Sequence, residues 1–158
     1  MHQSNIAPAH DENAFAAFDI PVADNSPYAP SGSAFSIDAA TLPIEGGTDP
    51  IFGTVQWRTL INGTAESAKE FVLGIAEFAA HGTLLPHRHS PAEFYLGVDG
   101  DGVVTIDGIA HRIAAGIALY IPGNAEHGVV AGPNGLRFTY GFAESQFDSI
   151  EYRFSGGV

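Results

Sequence analysis

Apolar and polar residues alternate along the chain from Thr54 onward. Thr54 to Ile61 reads TVQWRTLI, so Val55, Trp57, Thr59 and Ile61 share one face of an extended segment. Phe71 to Phe78 (FVLGIAEF) is a more continuous apolar run and predicts a buried strand. Gly82 to Gly100 (GTLLPHRHSPAEFYLGVDG) is again rich in strand formers, and Asp99-Gly100-Asp101-Gly102 is expected to turn the chain into VVTI. Asp107-Gly108, between VVTI and IAHRI, is the strongest hairpin signal in the sequence. Gly116 to Ile121 predicts a further strand, closed by Pro122-Gly123-Asn124. Glu126 to Ala131 and Leu136 to Phe142 flank Gly132-Pro133-Asn134-Gly135, which predicts a second hairpin turn, and Ser149 to Phe154 predicts a last strand. Many short strands with hairpin turns and little helix argue for an all-β sandwich or small barrel.

Before that region the pattern weakens. Residues 1–50 are rich in Ala, Pro, Asn, Ser and Asp, and Pro21, Pro27, Pro30 and Pro43 break up regular elements. Asp11 to Phe18 predicts a short helix with Asp11 as N-cap, and Ala34 to Ile37 an edge strand. The expected organisation is an irregular N-terminal arm, 1–50, followed by a β-barrel domain, 51–158. Asn62 to Glu70 is a polar connection or one helical turn.

Composition narrows the function classes. With 158 residues, 45% of them hydrophobic, the chain supports one domain with a proper core. It has no cysteine, hence no disulfide, thiolate zinc site or cysteine nucleophile. Six Lys plus Arg stand against eighteen Asp plus Glu, a net charge of −12, which disfavours nucleic acid and anionic membranes as partners. Lys69 is the single lysine, a poor basis for Schiff-base chemistry. No apolar run is long enough to span a bilayer, and the N-terminus lacks a basic start and an apolar core, so a cytoplasmic location is expected.

The chemistry concentrates in HRHSPAEFY. If the segment is extended, His87 and His89 share a face and Arg88 points away. Two imidazoles and a carboxylate, Glu93, are borderline metal ligands lacking a fourth. A later segment, GIALYIPGNAEH, supplies another histidine. Together they read H-x-H-x3-E-x6-G, from His87 to Gly100, and G-x5-P-x4-H, from Gly116 to His127. In order and separation these resemble the two signature motifs of the cupin superfamily, the jelly-roll β-barrel proteins. That resemblance implies one metal bound by His87, His89, Glu93 and His127. Asn124 stands where glycine is usual, four residues rather than five separate Gly82 from His87, and Ala131 replaces a customary asparagine. None of these departures touches a ligand. Iron heads the candidate metals, with Mn, Ni, Co, Cu or Zn as alternatives, and the ligand count leaves positions open for substrate. His2, His10, His81 and His111 belong to no motif and are read as surface or structural.

The resemblance extends further. HRHSPAEFY, IPGNAEHG and LRFTYGFAESQFDSIEYRF are similar to the short cupin lyases of marine bacteria that cleave dimethylsulfoniopropionate, their W-type member most of all, over roughly Phe52 to Phe154. This likeness implies a small zwitterionic substrate, split by base-initiated β-elimination into dimethyl sulfide and acrylate. Tyr95, two residues after Glu93 and so on the same strand face, is the candidate base, its phenol needing a nearby cation to act at neutral pH. Related lyases use such a tyrosine. The sulfonium calls for aromatic faces, drawn from Trp57, Phe71, Tyr120, Phe138, Tyr140 and Tyr152, with Trp57 first and Tyr120, Tyr140 and Tyr152 beside it. Arg58, Arg88, Arg112 and Arg137 fall on the outward side. A metal-dependent dioxygenase acting on a small organic substrate, or a non-catalytic small-molecule-binding module, are the alternative readings. A homodimer is expected.

Overall fold

The computed structural model describes residues 34–63 and 70–156. The helix expected at 11–18, His2, His10, Lys69 and most of the 62–70 connection lie outside them. The chain divides into two compact units, 1–31 and 32–158, and all that follows concerns the second.

Among the described residues, nine strands form an almost helix-free antiparallel fold: β1 (Glu45–Gly46), β2 (Gln56–Ile61), β3 (Val72–Phe78), β4 (Thr83–Arg88), β5 (Glu93–Ile106), β6 (Ile109–Ala114), β7 (Ala118–Ile121), β8 (His127–Phe142) and β9 (Arg153–Phe154). Two of them, β5 and β8, run the length of the domain side by side. The later half of β8 (136–142) pairs with β3, which leads through β2 to the edge strand β1. Its earlier half pairs with β4, which carries β9. β5 divides in the same way, its start pairing with β7 and its end with β6. The two long strands thus bend within one continuous sheet that curls on itself, and the inward faces of both enclose the core. Val72, Val104, Ile113, Ile121, Val129, Phe138 and Phe142 fill that core.

Alternation works as expected on most strands. In β3, Val72, Gly74, Ala76 and Phe78 are buried, while Leu73, Ile75 and Glu77 are partly exposed. The Asp107–Gly108 turn has positive φ at both residues, 46° and 80°, the geometry a two-residue hairpin loop requires.

Four expectations fail. Asp99 to Gly102 does not end a strand: it is a bulged bend inside β5, with register shifts between Gly97 and Asp99 and between Gly100 and Gly102. Nor is 132–135 a hairpin turn. Gly100 pairs with Leu136 and Gly102 with Ala131, so these four residues bulge out of β8 opposite Asp101 while the ladder continues on both sides. Gly100, at φ +67°, lets the bends nest, since a Cβ there would lie 2.2 Å from the Gly135 carbonyl oxygen. Residues 34–37 are exposed and unpaired, followed by a 3₁₀ turn at Ala39–Thr41 that Asp38 caps by accepting from the Ala40 N–H. The last predicted strand shrinks to Arg153–Phe154, with a 3₁₀ turn at Phe147–Ser149 before it. The edge strand lies later than 34–37, at Glu45–Gly46, though still ahead of the expected barrel start at 51.

Candidate metal centre

β4 ends in His87-Arg88, and His89 follows directly on it. The alternation carries on through all three, burying both imidazoles (0% and 3% exposed) while Arg88 faces out. His127 opens β8 directly opposite His87, and Glu93 opens β5. The turn of the second motif docks on the loop of the first. The Asn124 N–H donates to the His89 carbonyl at 2.8 Å, and a Cβ at Gly123 would meet the Ser90 carbonyl oxygen at 2.3 Å. Asn124 itself holds φ +63°, a conformation asparagine tolerates. The glycine–asparagine pair therefore sets the spacing between the strands that carry His89 and His127.

Each imidazole is oriented by its own backbone. His87 Nδ1 lies 2.9 Å from the Leu85 carbonyl, His89 Nδ1 2.9 Å from that of Pro91, and His127 Nδ1 3.0 Å from that of Ala125. A carbonyl oxygen only accepts, so each Nδ1 carries the proton and each Nε2 is left with a lone pair. Ligand nitrogens of the three rings lie within 4.8 Å of one another. Glu93 Oε2 stands 3.2 Å from both His89 Nε2 and His127 Nε2. His87 Nε2 is buried without a hydrogen-bond partner. Lone pairs aimed at one another and at a carboxylate repel unless a cation lies between them. The donor set therefore fits a divalent metal, with three nitrogens and one oxygen at one focus.

Electrostatics agree with that reading. Burial pushes His87 down from 6.5 to about 4, helped by the neighbouring His127, so its lone pair stays available across the neutral range. Burial alone would raise Glu93; positive charge shared with His127 and His89 outweighs this and holds the carboxyl below 4.5. With both imidazoles neutral, that positive charge would have to come from a cation at the same focus.

Beside the ligands lies a cavity of about 170 Å³. His87 and Glu93 line one part of it, and aromatic rings make up most of the rest: Phe52, Trp57, Tyr95, Phe138, Tyr140, Phe147, Tyr152 and Phe154. Neither Lys nor Arg is among the described lining residues. Tyr95 is buried, stacks on Phe138 at 4.2 Å between ring centres and lies 6.2 Å from the His127 ring. Burial, the Glu93 carboxylate and Tyr152 push its phenol well above 10. Tyr152 lies nearly parallel to the His87 ring, with centres 5.2 Å apart. Burial also raises Tyr140, whose hydroxyl is 3.5 Å from Thr59 Oγ1.

The structure thus gathers His87, His89, Glu93, His127, Tyr95, Trp57, Tyr140 and Tyr152 into one place. Tyr120 is a correction. It is 71% exposed and pairs with Phe94 on the outward face, because β7 places Leu119 and Ile121 inward. Phe71, 47% exposed ahead of β3, is also outside the cavity. His81 sits exposed in a turn at φ +60° with its N–H bonded to the Gly132 carbonyl, away from the ligands. Arg58 and Arg137 pair with Glu77, and Arg88 with Glu126, on the outside. The sequence reading missed Phe52, Phe147 and Phe154. Phe154 had a signal, standing two residues after Tyr152 on an extended segment. Phe52 and Phe147 sit in irregular backbone, where no periodicity announces them.

Comparison with known proteins agrees with the geometry. Residues 74–138 match the cupin domain family. The chain is 59% identical over 134 residues to dimethylsulfoniopropionate lyase DddW of Ruegeria pomeroyi, covering 85% of this chain and 86% of that protein. Among solved structures, the polyketide cyclase RemF from Streptomyces resistomycificus superposes with a TM-score of 0.68 at 22% identity, covering 80% of this chain and 88% of that one. An RmlC-like cupin from Shewanella frigidimarina gives 0.59 at 21% identity, covering 75% and 98%. These structural likenesses carry the fold alone. With its two motifs meeting at one buried focus and that extent of identity to a cupin lyase, the chain belongs to the cupin family.

Proposed function

We propose that this protein is a metal-dependent lyase that cleaves dimethylsulfoniopropionate into dimethyl sulfide and acrylate. One observation carries the reading: the cavity has metal ligands at one part and uncharged aromatic faces elsewhere, with no cationic side chain in its described lining. A substrate carboxylate would find its positive partner in the metal that those ligands would hold, and a sulfonium finds ring faces that attract it without neutralising it. The identity to DddW supports the same substrate.

His87, His89, Glu93 and His127 would hold the metal, and iron is our candidate because three imidazoles and a carboxylate suit it. A bound divalent metal supplies Lewis acidity that steadies the substrate carboxylate as charge builds on the adjacent carbon. Tyr95 acts as base from beside Glu93, its phenolate oxygen taking the proton from that carbon. As the C–H electron pair forms the new double bond, the β-carbon–sulfur bond breaks, and dimethyl sulfide leaves with its bonding pair. Trp57, Tyr140 and Tyr152 face the sulfonium. Burial and Glu93 drive the phenol well above 10, so this role depends on a cation nearby to oppose both.

Metal analysis of the purified protein, joined to a headspace assay for dimethyl sulfide in air and under argon, tests the reading. Equal release in both atmospheres is expected. Release that requires oxygen, or none from a metal-loaded sample, overturns it.

The barrel domain carries this chemistry in our reading, its sheet reaching back past 51 to β1 at Glu45–Gly46. Pairing with a second copy belongs to the same proposal. Phe94, Leu96 and Val98 on β5 and Tyr120 on β7, 40–71% exposed, form an uncharged strip on the outward face. On a chain of net charge −12, a strip free of carboxylates is where two copies approach with least repulsion.

A further inference from the structure

Gly74 sits inward on β3, paired with Tyr140 on β8 and with Thr59 on β2. It is not a turn residue, and its φ lies outside the left-handed region, so the backbone does not require glycine. Space requires it. A Cβ at position 74 would lie 2.2 Å from Tyr140 Cζ, 2.3 Å from Oη and 2.6 Å from Cε1, far inside contact distance. The Tyr140 ring therefore lies directly on the Gly74 backbone and reaches across β3 until its hydroxyl stands 3.5 Å from Thr59 Oγ1. Ala76, the next inward residue of β3, is also small and lines the cavity. Two small residues in succession keep this wall low.

We infer that Gly74 is a specificity-determining residue: by letting the Tyr140 ring lie against β3, it sets the room available to the cationic end of the substrate. The inference rests on the proposed sulfonium substrate. Any side chain at 74 has backbone behind it and the ring in front, so the ring must lift toward the cavity. In a space of about 170 Å³, a lifted ring takes up room that a dialkylsulfonium needs. The ligands His87, His89, Glu93 and His127 lie on other strands, so a change at 74 leaves metal binding in place.

Trp57, the single tryptophan, lines the same cavity and reports on it without turnover. The test is a titration of metal-loaded protein with tetramethylammonium, followed by Trp57 fluorescence, beside the dimethyl sulfide assay. Gly74→Ala is expected to keep its metal, to weaken tetramethylammonium binding at least tenfold and to raise KM for dimethylsulfoniopropionate in step, with kcat within threefold. In a Tyr140→Leu background, which lacks the ring, Gly74→Ala should change the affinity less than twofold. Unchanged affinity in Gly74→Ala overturns the inference, as does an equal loss with and without the ring, or no binding by the parent protein. Should the Gly74→Ala chain not fold, Tyr140→Leu decides: at least tenfold weaker binding supports the inference and unchanged binding overturns it. A parent protein that binds tetramethylammonium but releases no dimethyl sulfide refutes the lyase reading and leaves the seat to be judged on binding alone.

Discussion

At the scale of single residues, side-chain identity and backbone orientation do separate work. His87, His89 and His127 are each turned by a backbone carbonyl bound to Nδ1, so the lone pairs at Nε2 meet without help from another side chain. His127→Ala removes one of those nitrogens and leaves a gap beside His87. Metal content after dialysis should fall below about a tenth of the parent's, losses of ten- to hundred-fold being usual even for supporting residues of a metal site. Full occupancy in that variant would remove His127 from the ligand set. Tyr95 differs in kind. Tyr95→Phe keeps the ring that packs on Phe138 and loses the hydroxyl beside Glu93. The variant should hold metal normally and release dimethyl sulfide at least about a hundredfold more slowly, the lower range for removing a general base. Normal release would make Tyr95 a packing residue. His87, His89, Glu93 and Tyr95 were legible in the sequence because they stand within a few positions of one another on regular strands. Tyr120 was misread because the aromatic type was weighed and the strand face was not: Leu119 and Ile121 are the inward neighbours.

At the scale of elements, the bend shared by β5 and β8 decides most. Gly100 at φ +67° and the 132–135 bulge allow both strands to bend sharply within the one curled sheet. That brings the start of β5, with Glu93, near the start of β8, with His127. Gly100→Ala forces a side chain into a left-handed conformation and against the Gly135 carbonyl. It should destabilise the fold by roughly 2 kcal/mol or more, a drop of about 5 °C or more in the thermal midpoint. Gly108→Ala makes a useful control, since that glycine also has positive φ but nothing within 4 Å of its Cβ direction. Equal losses at the two sites would show that strain, and not the nesting of the bulges, is what matters. Glycine-rich runs at Asp99–Gly102 and 132–135 read as hairpin turns because local sequence signals a change of direction. It does not say whether the ladder resumes afterwards. That depends on a partner strand bulging at the same height, which is a long-range fact.

For the whole molecule, charge and burial set the response to conditions. His87 is buried neutral, with its folded value near 4 against 6.5 for the free side chain. Between those values the unfolded chain binds more protons than the folded one, so stability rises with pH across the window and is lost as pH falls from 6.5 toward 4. The metal-free protein should lose on the order of 3 kcal/mol over that range from this residue. Urea midpoints at a series of pH values check it, and a flat profile would mean that His87 is not held neutral. The outward strip of Phe94, Leu96, Val98 and Tyr120 gives a second expectation. If it joins two copies, Leu96→Asp should halve the mass measured by light scattering without loss of metal, and a parent protein already monomeric would exclude the pairing.

The sequence by itself determined the all-β class and several of the strands from 54 onward, and it placed His87, His89 and Glu93 close together, because alternation and short-range spacing depend on neighbours a few residues apart. It also set the acidity and the absence of thiol chemistry. Tertiary structure alone decided which aromatic rings face the metal ligands, that 132–135 is a bulge within β8, and that Gly74 makes room for Tyr140. Each of these depends on contact between residues far apart in the chain, and such contacts exist only once the strands have paired.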